Sequence, residues 1–281
     1  MKRIWFLLTV LVGSAIAQNP PVDLDHFWCY FIPNQPTLNI PILLQDQFDA
    51  AMPPPQNWEH INQLTLARIC NTVDKIVTSS GKDFPMINPS HHLTMYQINP
   101  QPVIPRVVTA IDQFTTQILD VSDARFLLVP TGKVILPGSA PSPSPDLDHY
   151  KCYAACGSRV NVPVILHDQF TLEGVTVLWP VLFCNPVVKV RSGPNGSVTT
   201  PIQKPNDHLT CYSNTPSIFP GLPDPTNPNS PRGINISNQF EVGNKTVLKP
   251  DLLCVPSTKL QWAPVPAATP TTTTASQTPK K

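Results

Sequence analysis

The sequence has few charged residues, few glycines and none of the common catalytic motifs. Charged residues make up 13% of the chain and glycines number 11, whereas charged residues form about a quarter of an average protein. The nucleophile elbow Gly-x-Ser-x-Gly, the motif His-Glu-x-x-His, phosphate-binding glycine loops and dinucleotide fingerprints are all missing. These absences argue against an enzyme, so no catalytic residue and no cofactor are predicted. A formal net charge of +1 gives no electrostatic reason to expect a nucleic acid partner.

Long apolar runs are missing except at the N-terminus. Lys2 and Arg3 precede the apolar run 4–12, and Ala15 and Ala17 supply small residues before a cleavage site at Gln18. Residues 1–17 are therefore predicted to be a signal peptide of a secreted protein (extracellular, periplasmic or at the cell surface). A membrane anchor is the alternative, but about ten apolar residues fall short of the roughly 20 that span a bilayer. We expect no transmembrane segment.

Proline, in contrast, is abundant. The chain has 36 prolines, each of which removes a backbone donor and interrupts a helix. Short β-branched runs such as 162–166 and 175–178 predict strands. The segment 58–69 comes nearest to a helical pattern, but its alignment with 174–183 favours a strand. The sequence predicts an all-β protein of two tandem antiparallel domains, each a sandwich or a closed barrel and each an internal duplication of a four-strand unit.

One sequence unit occurs four times. The opening Asp-Leu-Asp-His-x-x-Cys-Tyr at 23–30 recurs at 146–153, and the shorter frame His-x-x-(Cys/Met)-Tyr recurs at 92–96 and 208–212. We number these units one to four in chain order. They define a first β-repeat domain at 22–136, a stiff Pro/Ser linker at 137–145 and a second β-repeat domain at 146–262. The Pro/Thr-rich tail at 263–281 is predicted to be disordered.

Three further landmarks recur in each unit. An acidic or amide residue before Gln-Phe is interpreted as a turn cap, the phenylalanine as a core anchor, and a lysine near the end of the unit as a solvated strand end. In chain order the caps are Asp46, Asp112, Asp168 and Asn238, the phenylalanines are Phe48, Phe114, Phe170 and Phe240, and the lysines are Lys75, Lys133, Lys189 and Lys259.

Seven cysteines in an exported chain indicate disulfides. Units one, three and four each hold an early and a late cysteine, while unit two lacks both and has Met95 and Leu128 instead. Joint loss is expected of a bonded pair. The predicted bridges are Cys29–Cys70, Cys152–Cys184 and Cys211–Cys254. Cys156 has no counterpart, and three roles remain open for it: a free thiol, a link to another chain, or replacement of Cys152 as the partner of Cys184.

The repeated His-x-x-Cys frame raises zinc as an alternative. On a strand, residues three apart point to opposite faces, so His26 and Cys29 do not converge on one ion. No metal site is therefore predicted. The face with Phe27, Cys29 and Phe31 is interpreted as core, and the histidines as structural. Ligand binding by the His/Tyr face is the functional alternative.

The ordered landmarks resemble a known family. They run from Asp-x-Asp-His-x-x-Cys-Tyr through Asp-Gln-Phe, Leu-x-Cys-Asn-Pro-Val-x-Lys, His-Leu-Thr-Cys-Tyr and Asn-Gln-Phe to Leu-Leu-Cys-Val-Pro-Ser-x-Lys. This pattern is similar to an uncharacterised domain-of-unknown-function family of exported bacterial proteins. Residues 146–259 match it closely, whereas 23–133 depart by a proline-rich insertion at 53–56 and by the missing cysteine pair. The resemblance implies a bacterial, exported protein and assigns no activity or functional residue.

Three functions are considered. The favoured hypothesis is a non-enzymatic binding or surface-interaction module for a glycan or an envelope or extracellular protein. It predicts that exposed aromatics such as Trp28, Trp58, Trp179 or Trp262 cluster in one patch. The alternatives are a structural spacer or envelope component and, less favoured, a β-scaffold hydrolase with paired acids. Sequons at Asn195, Asn235 and Asn244 would carry glycans in a eukaryote; the oligomeric state is left open.

Overall fold

A computed structural model describes residues 23–99, 104–193, 196–217 and 232–265. The first half of the chain contains β1 (Phe27–Phe31), β2 (Thr37–Leu38), β3 (Ile42–Gln45), α1 (Gln47–Ala50), β4 (Glu59–Ile61), β5 (Leu64–Thr72), β6 (Asp74–Val77), β7 (Lys82–Phe84), β8 (His92–Ile98), β9 (Arg106–Asp112), β10 (Thr116–Pro130) and β11 (Gly132–Ile135). The second half contains β12 (Tyr150–Cys156), β13 (Val162–His167), β14 (Leu172–Pro186), β15 (Val188–Gly193), β16 (Gly196–Thr200), β17 (His208–Pro216), β18 (Arg232–Ser237), β19 (Val242–Val247) and β20 (Pro250–Pro264).

The prediction of an all-β, antiparallel, disulfide-stapled fold is confirmed. The one described helix, α1, is a single turn that begins at a capping box formed by Asp46 and Asp49. The segment 58–69 forms β4 and the first half of β5, so strand was the correct interpretation. The predicted signal peptide and the sequon at Asn195 lie outside the described residues. The predicted tail does too, apart from residues 263–265, the first two of which belong to β20.

Eight strands pair in a closed cycle, which we call the central ring. The order around the ring is β1, β5, β8, β10, β12, β14, β17 and β20, and β20 pairs with β1. Every pairing is antiparallel. Each of the four sequence units supplies two neighbouring strands, its opening strand and its long closing strand. Of the two arrangements that the sequence left open, this pairing corresponds to the closed one.

Disulfides fill the interior of the central ring. The bridges are Cys29–Cys70, Cys152–Cys184 and Cys211–Cys254, as the repeat predicts. Each joins directly opposed residues of the two strands of one unit. In unit two, Met95 opposes Leu128 at the corresponding place. All eight side chains are buried in one apolar cluster, so two apolar residues replace a bridge without opening a cavity.

A second layer of shorter strands covers the outside of the central ring. After leaving the ring, the end of each unit pairs with a strand that lies between the two ring strands of the unit two places away in the chain, which we call the opposite unit. These pairings join β6 to β13, β11 to β18, β15 to β3 and the end of β20 to β9. A large apolar core lies between the two layers and includes Trp28, Phe48, Tyr96 and Tyr153. Both faces of the ring strands are therefore buried.

The two sequence repeats are not separate packing units. Residues 22–136 and 146–262 were expected to form tandem domains, yet all four outer pairings and the β1–β20 and β10–β12 pairings of the ring cross between them. The physical reason is that each outer strand forms its hydrogen bonds with the edge of a strand that belongs to the opposite unit. The linker is also not a free spacer. A Cβ on Gly132 would lie 1.7 Å from the Pro141 carbonyl oxygen, and Asn235 Oδ1 accepts a hydrogen bond from the Ala140 amide at 3.0 Å.

Candidate functional site: four buried lysine clusters

The four recurrent lysines lie between the central ring and the outer layer. The sequence prediction of solvated lysines was wrong, because each lysine lies on a strand of the outer layer with its side chain facing the interior. Three of them are buried, with exposed fractions of 0% for Lys75, 6% for Lys133 and 1% for Lys189, and Lys259 is half-buried. Three buried lysines and one half-buried lysine at equivalent places are the most unusual chemical feature of this fold, since lysine is almost never fully buried unless it is paired.

Each lysine lies over the Gln-Phe phenylalanine of the next unit in the ring, and the last unit returns to the first. The amine-to-ring-centroid distances are 4.8 Å for Lys75 and Phe114, 4.3 Å for Lys133 and Phe170, 5.7 Å for Lys189 and Phe240, and 4.5 Å for Lys259 and Phe48. These are cation–π distances. The phenylalanines predicted as core anchors therefore also present an aromatic ring face to each lysine amine.

A histidine from the same unit and a glutamine from the next unit complete each lysine cluster. His26 Nε2 lies 2.9 Å from Gln113 Oε1, His149 Nε2 lies 2.7 Å from Gln239 Nε2, and His208 Nε2 lies 3.3 Å from Gln47 Nε2. In the remaining cluster, His92 accompanies Lys133, whereas Gln169 is exposed. We name the clusters by their lysines.

Burial controls the protonation of these groups. It lowers the pKa of Lys133, Lys189 and Lys259 to about 7, and that of Lys75 well below its ordinary value. Burial and then the charge of Lys259 lower the pKa of His208 to about 3. The amines of Lys75 and Lys133 make no hydrogen bond with any described residue. A lysine in such a site is a neutral amine for much of the time near neutral pH, and a neutral amine is a nucleophile.

The residues predicted as turn caps have that role. Asp46 Oδ1 accepts the backbone N–H groups of Phe48 and Asp49 at 2.8 and 3.1 Å, and the other three caps do the same. The caps also contact the repeated tyrosine of the opposite unit. Tyr153 donates to Asp46 Oδ2 at 2.9 Å, and equivalent hydrogen bonds pair Tyr212 with Asp112 and Tyr96 with Asn238. In the fourth place, burial and then the charge of Asp168 raise the pKa of Tyr30. The His/Tyr face is thus interior.

A buried ion cluster, which sequence reasoning missed, lies beside Asp46. Lys151 Nζ donates to Asp49 at 2.6 Å and to Glu59 at 2.5 Å. Burial and then the charge of Asp46 raise the pKa of Asp49 to about 7, although Lys151 opposes the change. Burial would lower the pKa of Lys151, but the three carboxylates hold it above its usual value. The sequence held one signal of this cluster, because Lys151 occupies the position in the opening motif of unit three that Trp28 occupies in unit one.

The predicted aromatic patch does not form. Trp28 is fully buried, and the ring centroid of Trp262 lies 5.0 Å from that of Phe48. Trp58 is half-buried, and Trp179 is 50% exposed. The prediction of one exposed cluster was therefore wrong, because the outer face of the ring is covered. Phe31, predicted as core, is 40% exposed.

The structure also places the odd cysteine and two of the sequon residues, and it bears on the metal and membrane predictions. Cys156 is an exposed free thiol, so it does not replace Cys152. The sequon residues Asn235 and Asn244 hydrogen-bond each other across β18 and β19 at 2.6 Å. Within the described part of the chain, no three His, Cys, Asp or Glu side chains converge on a possible metal position. None of the helical residues described forms a segment long and apolar enough to cross a bilayer.

A shallow groove of about 230 Å³ lies on the outer layer where β3 and β15 pair. Apolar and hydrogen-bonding side chains line it together: Ile42, Leu43, His60, Val190, Ser192 and Ser197 are among them. The strands come from units one and three, so the groove exists only because opposite units pair.

This fold is a disulfide-filled strand ring with an interlocked outer layer and internal polar clusters, which is the construction of a rigid scaffold. Residues 92–219 match a family model described as a repeat of unknown function (DUF7450). The match begins at His92, the opening residue of β8 and of unit two. Neither the curated proteins nor the solved structures contain a match.

Proposed function

We propose that this protein is an exported, non-enzymatic binding module that contacts a glycan or an extracellular or envelope protein through its outer strands. One observation carries the proposal: the polar residues that repeat in all four units are interior, where caps, tyrosines, histidines and lysines hold units together. Their repetition is therefore explained by the scaffold. Three disulfides support an oxidising, extracytoplasmic compartment, in agreement with the predicted signal peptide.

The groove between β3 and β15 is the proposed contact site. Its mixture of apolar side chains such as Ile42 and Val190 with the polar His60 and Ser192 suits a ligand that offers both a nonpolar face and hydroxyl or amide groups. The volume of about 230 Å³ is below the ~300–1,000 Å³ of pockets for drug-sized ligands. A single sugar unit or one peptide side chain is the matching size.

Binding of the purified protein to glycan and extracellular-protein panels tests this proposal. A double variant, His60→Ala with Ser192→Ala, is expected to reduce binding at least tenfold. His167→Ala is the matched control, because His167 is an exposed histidine on β13, outside the groove. Equal binding by the groove variant and the control would exclude the groove. Absence of any binding across both panels would exclude the module and leave the structural alternative.

That alternative is a spacer or envelope component. The cross-linked ring favours it, since three bridges and a closed strand cycle give a rigid body. It predicts no ligand-dependent change in melting temperature. A hydrolase has less support, because the clustered carboxylates Asp46, Asp49 and Glu59 lie in the interior around Lys151 and not in an open cleft.

A further inference from the structure

The Lys189 cluster differs from the other three in how closely its polar groups meet. The Lys189 amine is in direct contact with the side-chain carbonyl oxygen of Gln239. His149 Nε2 lies 2.8 Å from Lys189 Nζ and 2.7 Å from Gln239 Nε2. One imidazole nitrogen is thus within hydrogen-bond distance of both an amine and a primary amide nitrogen, while the amine touches the same amide group.

We propose that Lys189 and Gln239 form an intramolecular amide cross-link, with release of ammonia and with His149 as the proton relay. The bond would join β15 to the turn between β18 and β19. These elements belong to two sheets that share no strand pairing, so the cross-link would tie together parts of the outer layer that hydrogen-bonded strands leave separate.

The chemistry balances without any further reactant. The lone pair of the neutral Lys189 amine attacks the Gln239 side-chain carbonyl carbon, and the carbonyl π electrons move to oxygen. His149 Nε2 accepts the proton that the amine loses and delivers it to the amide nitrogen. The carbonyl re-forms as the carbon–nitrogen bond of the original amide breaks, and ammonia leaves. No group is oxidised or reduced.

The surroundings favour each requirement of this step. Lys189 is 1% exposed, and burial, with the neighbouring Arg191 charge, lowers its pKa to about 7, which supplies the uncharged nucleophile. Burial also lowers the pKa of His149, so its ring is neutral and can accept a proton. Arg191 donates to the backbone carbonyl of Gln239, which fixes the turn that carries the amide.

The other clusters lack one part of this arrangement. In the Lys75 cluster the histidine contacts the glutamine oxygen, and the amine makes no hydrogen bond to any residue that the structure describes. In the Lys259 cluster the amine donates to Asn185 at 3.2 Å. In the Lys133 cluster Gln169 is exposed. Lys133 is therefore a matched control: an equivalent buried lysine without an adjacent amide.

Peptide mapping of the full-length exported protein by mass spectrometry, after disulfide reduction and trypsin digestion, tests the proposal. A branched peptide is expected that contains both residues, resists cleavage after Lys189 and weighs one ammonia less than its two linear parts. Fragmentation must locate the loss, because an N-terminal Gln18 also releases ammonia when it cyclises. The branched peptide should be absent from Lys189→Met and Gln239→Leu and retained in Lys133→Met. His149→Phe should slow its formation at least tenfold during incubation at mildly alkaline pH.

Two results would overturn the proposal. The first is recovery of Lys189 and Gln239 only in linear peptides from wild-type protein whose three disulfides are intact, and this result does not depend on whether any variant folds. The second is a branched peptide that persists in Gln239→Leu, which would assign the link to another residue.

Discussion

A substitution at Lys133 would measure how much a buried amine lowers the free energy of unfolding of this fold. Its amine lies over the Phe170 ring and makes no hydrogen bond within the described residues. Methionine has a similar length and no charge. We expect Lys133→Met to stabilise the protein at neutral pH and to leave its stability nearly unchanged at high pH.

The magnitude follows from the two protonation equilibria. Burial, partly opposed by Asp168, lowers the pKa of Lys133 from 10.5 to about 7. The unfolded chain therefore binds a proton below pH 10.5, and the folded chain only below about pH 7. Above pH 10.5 the lysine is neutral in both states, so its burial costs no stability. As the pH falls from 10.5 to about 7, the unfolded chain gains a proton that the folded chain does not, and the free energy of unfolding decreases. At about 1.4 kcal/mol for each pH unit, the penalty is roughly 5 kcal/mol. Losing the contact with Phe170 lowers the net gain at pH 7 to about 3 kcal/mol.

Urea unfolding at several values between pH 7 and pH 10, followed by tryptophan fluorescence, measures this effect. All proteins should carry Cys156→Ser, so that thiol exchange does not disturb the disulfides at high pH. The free-energy difference between Lys133→Met and its parent should shrink steadily as the pH rises. Lys249→Met is the control and should change the stability little, because this lysine is exposed. A constant difference for Lys133→Met, or a destabilised variant at pH 7, would refute the reasoning.

Further predictions concern the ring and the linker. Met95→Cys combined with Leu128→Cys should form a fourth disulfide, because these residues oppose each other as the cysteines do, and should stabilise the protein by about 3 kcal/mol; thiol titration and urea unfolding check this, and free thiols at both positions would contradict it. Gly132→Ala should destabilise by about 2 kcal/mol or more, since its Cβ would lie 1.7 Å from the Pro141 oxygen; an unchanged melting temperature would show that the linker is not packed there. Cys156→Ser should leave the melting temperature within one degree or so of wild type, because an exposed side chain contributes little.

The repeat made part of this architecture predictable. Joint loss of the cysteine pair in unit two identified the three bridges, because a bonded pair is replaced together. The exchange of Asp for Asn at Asn238 indicated a cap, since both side chains accept backbone N–H bonds while only one carries charge. Both inferences compare equivalent positions within the chain, and both describe contacts within one unit.

The contacts between units were not predictable in the same way. Lys75 stands on the strand face opposite the disulfides, and the alternation of a strand alone does not tell whether that face meets solvent or another layer. The strand that pairs with β6 at Lys75, β13, comes from unit three, and the Phe114 ring over which the amine lies comes from unit two. For the same reason the Lys189–Gln239 contact and the groove had no sequence signal, and the lysine at position 151 did not by itself reveal its carboxylate partners, since each site joins residues of two different units.

The closure of the central ring has a consequence for biosynthesis. β1 obtains its second neighbour only from β20, so synthesis of more than two hundred intervening residues must precede ring closure. The disulfides can form earlier than the ring closes, because the two cysteines of each bridge are only 32 to 43 residues apart. Units one, three and four can each acquire their cross-link while the chain is still emerging. Oxidation can then precede closure of the ring, and a chain truncated before β20 could form the bridges Cys29–Cys70 and Cys152–Cys184 but could not close the ring.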